Sequence, residues 1–208
     1  MTVDTPAGGI PVVRSRGDDP AGAELARDIV RLGHPVLRTP AAEVPAGEIG
    51  GDAVQALIDR LIATMRSAGS VGLSAPQLAD GRQIFVYEVP DDPAYPGGPV
   101  PLRVVVNPMI QTQPGQLVHD WEGCTSVPGL RGLVPRQPEV RVRGLDRGGE
   151  ALDFTAAGIE SRIVQHEYDH LNGIVFLDRM RDLKSLAFSE EWEEYLSGAD
   201  HSEHAALV

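Results

Sequence analysis

The segment "VQHEYDHLNG" (residues 164–173) places His166 and His170 four residues apart, with Glu167 directly after the first histidine. Residues at this spacing lie on one face of a helix, one turn from each other, so both imidazoles can reach a single metal ion. The carboxylate can then approach a remaining coordination position, where a metal lowers the pKa of bound water toward about 7. The segment therefore predicts a metal site that activates water for attack on a carbonyl group.

The neighbouring residues place this motif on the buried face of a helix. Ile159 and Ile163 recur at helical spacing ahead of it, and Gly173 is a typical terminator, which predicts a helix over residues 157–172. Polar groups on a buried face are costly unless they have partners. A bound metal ion would supply those partners. If the short motif occurred by chance and bound no metal, the three polar groups would lack them.

A hydrolytic metal site needs a third protein ligand in addition to the two histidines. The metzincin motif would place a further histidine where this chain has Phe176, so that version of the site is excluded. A zincin-like metallopeptidase could instead use a downstream carboxylate, although the acidic side chains there also suit the dipole at the start of a helix. These side chains are Glu190, Glu191, Glu193 and Glu194.

Cys124 is the stronger candidate for the third ligand. It is the only cysteine in the chain, so no intrachain disulfide can form. A thiolate is a good ligand for zinc or iron(II). The segment "EGCTSVPG" predicts a glycine-flanked turn ended by proline, in which the backbone can come close to a metal.

The composition excludes several classes of function. A formal charge of -12 repels phosphate, so direct nucleic-acid binding is not expected. No apolar run approaches the roughly 18 residues that a membrane span requires. The first residues match neither a secretory signal nor an organelle transit peptide. We therefore expect a cytoplasmic protein that makes no membrane contact.

Length and local composition predict one folded domain with a segment on either side. A chain of 208 residues suits a single core. Residues 1–22 are rich in Pro, Gly and Asp without periodicity, which predicts a flexible N-terminal segment. The folded domain is predicted over residues 23–182. An acidic helix and tail follow at 183–208, with the helix itself over about 183–197.

The periodicity of the chain predicts an α+β fold. Apolar residues recur at helical spacing from Asp52 to Gly69, which predicts an amphipathic N-terminal helix. Four β-favouring runs follow, and "DRGG" predicts a hairpin between the last two. These runs cover residues 82–89, 101–107, 138–146 and 150–156. We expect antiparallel or mixed sheets packed around a central metal-binding helix, with an N-terminal and a C-terminal helix.

Three segments together resemble the signatures of the peptide deformylase family. "SVGLSAPQ" (70–77) resembles G-x-G-L-A-A-P-Q, "EGCTS" (122–126) resembles E-G-C-x-S, and "QHEYDH" (165–170) resembles Q-H-E-x-D-H. One such motif is a weak signal, but three in the family's order and approximate spacing are a strong one. The likeness spans roughly residues 32–180.

This resemblance implies a site and a reaction. The implied ligands are Cys124, His166 and His170, holding one divalent ion, iron(II) by preference, with zinc, nickel or cobalt also suited to them. Glu167 is implied as general acid and base. The Gln77 side chain and the Thr125 backbone N–H are implied as donors to the oxyanion. The implied substrates are N-formylmethionyl peptides and nascent chains, which are hydrolysed to formate and a free amino terminus.

The resemblance also implies how a peptide binds. An extended peptide would run along Gly72 on one side and Gly123 on the other, as an added strand. Val71 and Ile163 are expected to line an apolar pocket for the methionine, together with the body of His166. Ordinary core packing is an equal alternative for the two aliphatic residues.

Three charged residues match positions that recur in the family but take no part in the chemical reaction. Arg131 matches a family arginine near the peptide's path, although a solvated loop charge is an equal alternative. Arg136 and Asp169 are expected to form structural ion pairs, with Glu122 as the partner of Arg136.

The chain departs from the family pattern in a few places. Ser70 stands where the first signature has glycine, Ser74 replaces an alanine, and Thr125 occupies a position often held by leucine. The C-terminal segment "SEEWEEYLSGADHSEH" is acidic, unlike the basic tail helix that some relatives use to dock on the ribosome. At most a transient ribosome contact is therefore expected.

Overall fold

The computed structural model describes residues 25–92, 95 and 97–197, and the predicted flexible segment 1–22 and the tail after residue 197 lie outside them. The strands are β1 (Gly72–Ser74), β2 (Ile84–Val89), β3 (Val100–Thr112), β4 (Val118–Cys124), β5 (Val127–Arg136), β6 (Glu139–Leu145), β7 (Ala151–Ala157) and β8 (Ala187–Phe188). The helices are α1 (Asp52–Ser67), α2 (Gly158–Leu171), α3 (Phe176–Arg179) and α4 (Ser189–Glu191), which continues as a π-helical segment over Trp192–Leu196. Shorter 3₁₀ segments cover Pro35–Arg38, Ala46–Glu48 and Ala75–Leu78.

The strands form two antiparallel sheets in the described part of the chain. One has five strands in the order β1-β2-β3-β6-β7, and the other has three in the order β4-β5-β8. The predicted hairpin is confirmed, since β6 and β7 pair from Leu145 and Ala151 outward. The mixed helix and antiparallel sheet content confirms the predicted α+β class.

Helix α1 packs its apolar stripe on the five-stranded sheet. Val54, Leu57, Leu61 and Met65 are buried in a core cluster that includes residues of β1 and β2. Gly69, with φ 62°, follows the helix and takes a left-handed conformation that glycine adopts at little cost. The predicted N-terminal helix and its terminator are therefore confirmed.

Helix α2 lies between the two sheets. On one side, Ile163 packs in a hydrophobic cluster with Phe85 of β2. On the other side, the Arg162 guanidinium donates hydrogen bonds to the carbonyl oxygens of Val118 (2.8 Å) and Val134 (2.9 Å). These contacts fix the helix against β4 and β5 as well as against the larger sheet.

One sequence prediction about secondary structure is confirmed without its flanking strands, and another is wrong. The turn predicted in "EGCTSVPG" is present at Thr125 and Ser126, but the strands β4 and β5 on either side of it were not predicted. The predicted helix over 183–197 begins later, at Ser189, after the short strand β8. Among the described residues, no helix has both the length and the apolar character to cross a bilayer.

Candidate metal centre and active site

Three side chains from two elements converge between the sheets. Cys124 is the last residue of β4, while His166 and His170 lie one turn apart on α2. Their ligand atoms lie within 4.8 Å of one another and all three residues are buried. Cys124 Sγ lies 3.3 Å from His170 Nε2. The strand end and the helix thus form one cluster.

This cluster fits a divalent transition metal. A thiolate and two imidazoles are the ligand types that zinc and iron(II) accept in proteins. Metal–sulfur and metal–nitrogen bonds of about 2.3 and 2.1 Å in a tetrahedral site put neighbouring donor atoms about 3.6 Å apart, close to the observed 3.3 Å. Three protein donors also leave a fourth position open, which is the arrangement of a catalytic site.

His166 is oriented by a carboxylate behind it. Its Nδ1 lies 2.9 Å from Glu122 Oε2, so Nε2 is left to face the cluster. Burial disfavours the charge on Glu122, but Arg136 and His166 outweigh it and hold the pKa of that carboxyl well below its usual value. An ionised partner of this kind fixes the imidazole tautomer and increases its basicity as a ligand.

Two guanidinium groups neutralise Glu122. Arg136 donates to both of its oxygens, at 2.8 and 3.0 Å, and Arg162 donates to Oε1 at 2.9 Å. Arg136 also pairs with Asp169 at 2.6 Å, and Arg179 pairs with Asp169 at 2.6 Å. The expected structural ion pairs of Arg136 are therefore confirmed.

Glu167 lies beside the cluster against the backbone of β1. A Cβ atom at Gly72 would lie only 2.4 Å from Glu167 Oε1, so the glycine makes room for the carboxylate. Burial raises the pKa of Glu167 to about 7, with His166 opposing the shift. Within the described part of the chain its Oε2 is buried without a hydrogen-bond partner.

Gln77 is held with its amide nitrogen toward the same place. Its Oε1 accepts from the Ser74 N–H and hydroxyl, at 2.9 and 3.0 Å. Its Nε2 lies 3.5 Å from Cys124 Sγ, 3.2 Å from Thr125 Oγ1 and 3.3 Å from Ser126 Oγ. The predicted oxyanion donors Gln77 and Thr125 are thus neighbours at the end of β4.

A pocket opens in front of these groups. Four of the predicted substrate-binding residues line it, together with both predicted oxyanion donors and members of the metal cluster. The lining residues predicted from the sequence are Val71, Gly72, Gln77, Gly123, Cys124, Thr125, Ile163, His166 and Glu167. Ser70, which stands where the first signature has glycine, also lines it. Ala68 lines it too and was not foreseen, because nothing in its own pattern marks it.

Arg131 does not line this pocket. It lies on β5 and is 3% exposed, so the alternative of a solvated loop charge is wrong. Its guanidinium stacks 4.1 Å from the centre of the Trp192 ring, in the C-terminal π-helical segment. A substrate contact of Arg131 stays a prediction.

Arg162 is the residue of this centre that the sequence reasoning missed. It lies four residues before His166 on α2, on the side that faces Glu122. The available signal was an arginine one turn before a candidate ligand, on the helix face predicted to be buried. A buried guanidinium group is costly unless an anion lies nearby.

The carboxylates considered for a zincin-like site lie elsewhere. Glu190, Glu191, Glu193 and Glu194 are exposed, and the candidate metal cluster found in the described residues contains none of them.

The backbone at Ser70 does not require the glycine of the family signature. The φ angle of Ser70 is not positive, and its hydroxyl donates to the Gly72 carbonyl at 2.6 Å.

Comparison with known proteins agrees with this geometry. The Polypeptide deformylase family profile matches residues 26–186. Peptide deformylase 1 of Nitrosomonas europaea is 37% identical over 167 residues, covering 80% of this chain and 94% of that protein. The mitochondrial peptide deformylase of Homo sapiens is 42% identical over 162 residues, covering 73% of this chain and 67% of that protein.

Solved structures give the same result. The Met-Ala-Ser-bound class I type b peptide deformylase from Acinetobacter baumannii has a TM-score of 0.70 and 36% identity, covering 73% of this chain and 96% of that chain. A peptide deformylase from Synechococcus elongatus, in complex with actinonin, has a TM-score of 0.68 and 33% identity, covering 92% of this chain and 93% of that chain.

The chain belongs to the peptide deformylase family. It is a hydrolase that removes the N-formyl group from newly made polypeptides. The resemblance drawn from the three sequence segments is confirmed.

Proposed function

We propose that this hydrolysis takes place at one divalent metal ion held by Cys124, His166 and His170. The observation that carries the proposal is the convergence of their donor atoms within 4.8 Å, beside a buried carboxylate. When bound, the cation acts as a Lewis acid that polarises the formyl carbonyl and lowers the pKa of a water molecule. Iron(II) is the proposed metal, and zinc, nickel and cobalt suit the same donors.

Glu167 is proposed as the group that moves protons. Because burial raises its pKa to about 7, the carboxylate can accept a proton from the attacking water near neutral pH and return it to the departing amine. Its Oε2, buried without a hydrogen-bond partner in the described residues, supports this role, since the oxygen is free to bind a proton or water.

Gln77 and Thr125 are proposed to stabilise the oxyanion that develops on the formyl oxygen. The contacts of Gln77 Nε2 with Cys124 Sγ and Thr125 Oγ1, at 3.5 and 3.2 Å, support this role because they keep the amide N–H groups beside the metal cluster. The Thr125 backbone N–H is the second proposed donor, at the tip of the β4–β5 hairpin. Removing one such donor typically lowers kcat by about 10² to 10³.

The pocket supports recognition of an N-terminal formylmethionine. Val71 and Ile163 provide apolar walls, and both belong to the hydrophobic cluster behind the pocket. Gly72 and Gly123 line the pocket from β1 and β4, which are edge strands of the two sheets, so an extended peptide can add there as a strand. Any contact with Arg131 is proposed to lie beyond the first residue.

Several further proposals rest on the sequence. The catalytic domain is proposed to span residues 23–182, between a flexible N-terminal segment and the C-terminal acidic helix and tail. Co-translational action in the cytoplasm and a transient ribosome contact are proposed with it. The acidic C-terminal segment supports only a weak contact with a polyanion, because like charges repel.

The deciding experiment measures formate release from a formyl-Met tripeptide by anaerobically purified protein. Cleavage of unformylated peptides is assayed in parallel, and the metal content of the same sample is measured. We expect Glu167→Gln to keep the metal and lose at least about 100-fold in formate release. Cys124→Ser should lose the metal, while Glu190→Gln, an exposed acid-to-amide control, should keep both metal and activity.

Two results would overturn these roles. Full activity of Glu167→Gln would remove the general base. Cleavage of unformylated peptides with metal retained in Cys124→Ser would favour the zincin-like alternative.

A further inference from the structure

Ser74 contacts the side chain that is proposed to donate to the oxyanion. It is the last residue of β1 and is fully buried. Directly after it, the chain enters the 3₁₀ segment that carries Gln77. Its hydroxyl donates to the Gln77 amide oxygen at 3.0 Å. A buried hydroxyl is costly unless it is hydrogen-bonded, so this side chain depends on the partners that surround it.

The contacts with Gln77 fix the orientation of its amide. An amide oxygen has two acceptor sites, and here the Ser74 N–H (2.9 Å) and hydroxyl (3.0 Å) occupy both. The amide nitrogen is then directed at Cys124 Sγ and the hydroxyls of Thr125 and Ser126. Without the serine hydroxyl, one donor remains and the amide can rotate about its last side-chain bond.

We propose that Ser74 is a positioning residue that holds the Gln77 amide with its N–H groups toward the reacting carbonyl. The inference rests on the proposed function, in which Gln77 donates to the oxyanion. Since the amide acts on the transition state and not on the bound peptide, Ser74 affects kcat and leaves KM unchanged.

A double-mutant cycle tests this role. Ser74→Ala, Gln77→Ala and the double variant are loaded with the same metal and assayed for formate release from a formyl-Met tripeptide. We expect Ser74→Ala to lower kcat about tenfold, in the range expected for one lost buried hydrogen bond. In the Gln77→Ala background the same change should cost less than about twofold. An equal loss in both backgrounds, or no loss in either, overturns the proposal.

A measurement independent of activity examines the amide itself. In the zinc-loaded, isotope-labelled protein, the Gln77 side-chain N–H₂ resonances are assigned by their absence in Gln77→Ala. We expect Ser74→Ala to speed their exchange with water about tenfold, as follows from losing one of two hydrogen bonds to the amide. Unchanged exchange overturns the proposal.

Ser161→Ala is the matched control. Ser161 is also a fully buried serine, and its hydroxyl donates to the Gln137 carbonyl oxygen at 2.9 Å, outside the pocket. It should lose a comparable amount of stability without changing kcat or the Gln77 resonances. A loss of kcat equal to that of Ser74→Ala would reduce the role of Ser74 to general stability and overturn the proposal.

The outcomes separate this inference from the proposed function. If the wild-type protein releases no formate, the proposed function fails whatever the resonances show. If the wild-type protein is active and Ser74→Ala equals it, only the positioning role fails.

Discussion

Gly72 sets how closely the backbone of β1 approaches the Glu167 carboxylate. In Gly72→Ala the new methyl group would lie 2.4 Å from Glu167 Oε1, closer than real contacts allow, so the carboxylate must move. We expect kcat to fall about 100-fold, as for displacement of a reacting group by about 1 Å. Kinetics of formate release with metal analysis provide the measurement.

Gly81→Ala is the control for this substitution. Nothing lies within 4 Å of a Cβ atom at Gly81, and its φ is not positive. It should retain wild-type kinetics. Equal losses in the two variants, or unchanged kinetics in Gly72→Ala, would contradict the steric argument.

The buried Glu167 carboxyl also predicts a pH dependence of stability in the metal-free protein. Burial raises its pKa from 4.5 to about 7, so the folded state binds a proton that the unfolded state releases. The contribution of this group to the free energy of unfolding is fully present below about pH 4.5. As the pH rises through about 7 it is lost, and the free energy of unfolding falls by at most about 3 kcal/mol.

The corresponding measurement is urea unfolding of the metal-free protein at pH 5 and pH 8. Glu167→Gln cannot ionise, so its stability should fall less than that of the wild type between these pH values. A parallel pH dependence of the two proteins would show that the carboxyl is not held neutral by the fold.

At the scale of elements, the charged network around Arg136 ties β4 and β5 to α2. Arg136 bridges Glu122 of β4 and Asp169 of α2 from its own position on β5, and all three are buried. Removing one member of a buried ion pair leaves its partner uncompensated, so Arg136→Met should lower the free energy of unfolding by about 3 kcal/mol.

Arg141→Met is the matched control, because Arg141 pairs with Asp153 at an exposed site. It should change the free energy of unfolding by less than about 1 kcal/mol in the same urea titration. Similar values for the two variants would mean that the buried network contributes no more than a surface pair.

Elements with local, one-sided patterns could be predicted from the sequence. Helix α1 has one buried stripe, and α2 carries both histidines at helical spacing, so each pattern can be seen within its own segment. Strand β5 could not be predicted in this way. Arg131, Gly132, Leu133 and Val134 are all buried in succession, which removes the alternation of a half-exposed strand, and Pro128 and Pro135 argue against a strand.

At the scale of the whole molecule, the C-terminal segment covers part of the smaller sheet. Trp192 stacks on Arg131 of β5 and meets Trp121 of β4 edge-on, with ring centres 6.1 Å apart. Trp192→Ala should release this segment, so amide exchange over residues 187–197 should speed about tenfold. A contact worth about 1 kcal/mol gives that order of change.

Tyr195→Ala is the control for this change, because Tyr195 is 66% exposed. It should leave exchange over the same residues unchanged. Exchange mass spectrometry gives the comparison, and an equal effect of the two variants would show that the stacked tryptophan does not hold the segment down.

The assembly of the site belongs to the same scale and explains where sequence reasoning stopped. Cys124 reaches the histidines only because β4 and α2 pack together, although 41 residues of chain lie between Cys124 and His166. The periodicity of a sequence shows which residues share a face of one element, but not which elements pack together. Cys124 was therefore predicted to be a ligand from the chemistry of its thiolate and from the family resemblance. The burial of Arg131 under Trp192 had no local signal, since it depends on a contact between segments far apart in the chain.

The short connection between β4 and β5 determines where this protein can be lengthened. Gly123 faces Arg131 while Cys124 faces Val127, so the register shifts directly before the sulfur-bearing residue. One added residue in the strand ahead of it would turn the thiol to the opposite face of the sheet. The exposed connection between β6 and β7, over Arg147 and Gly148, carries no such restriction. Reporter peptides and affinity tags therefore belong at that connection and not beside the cysteine.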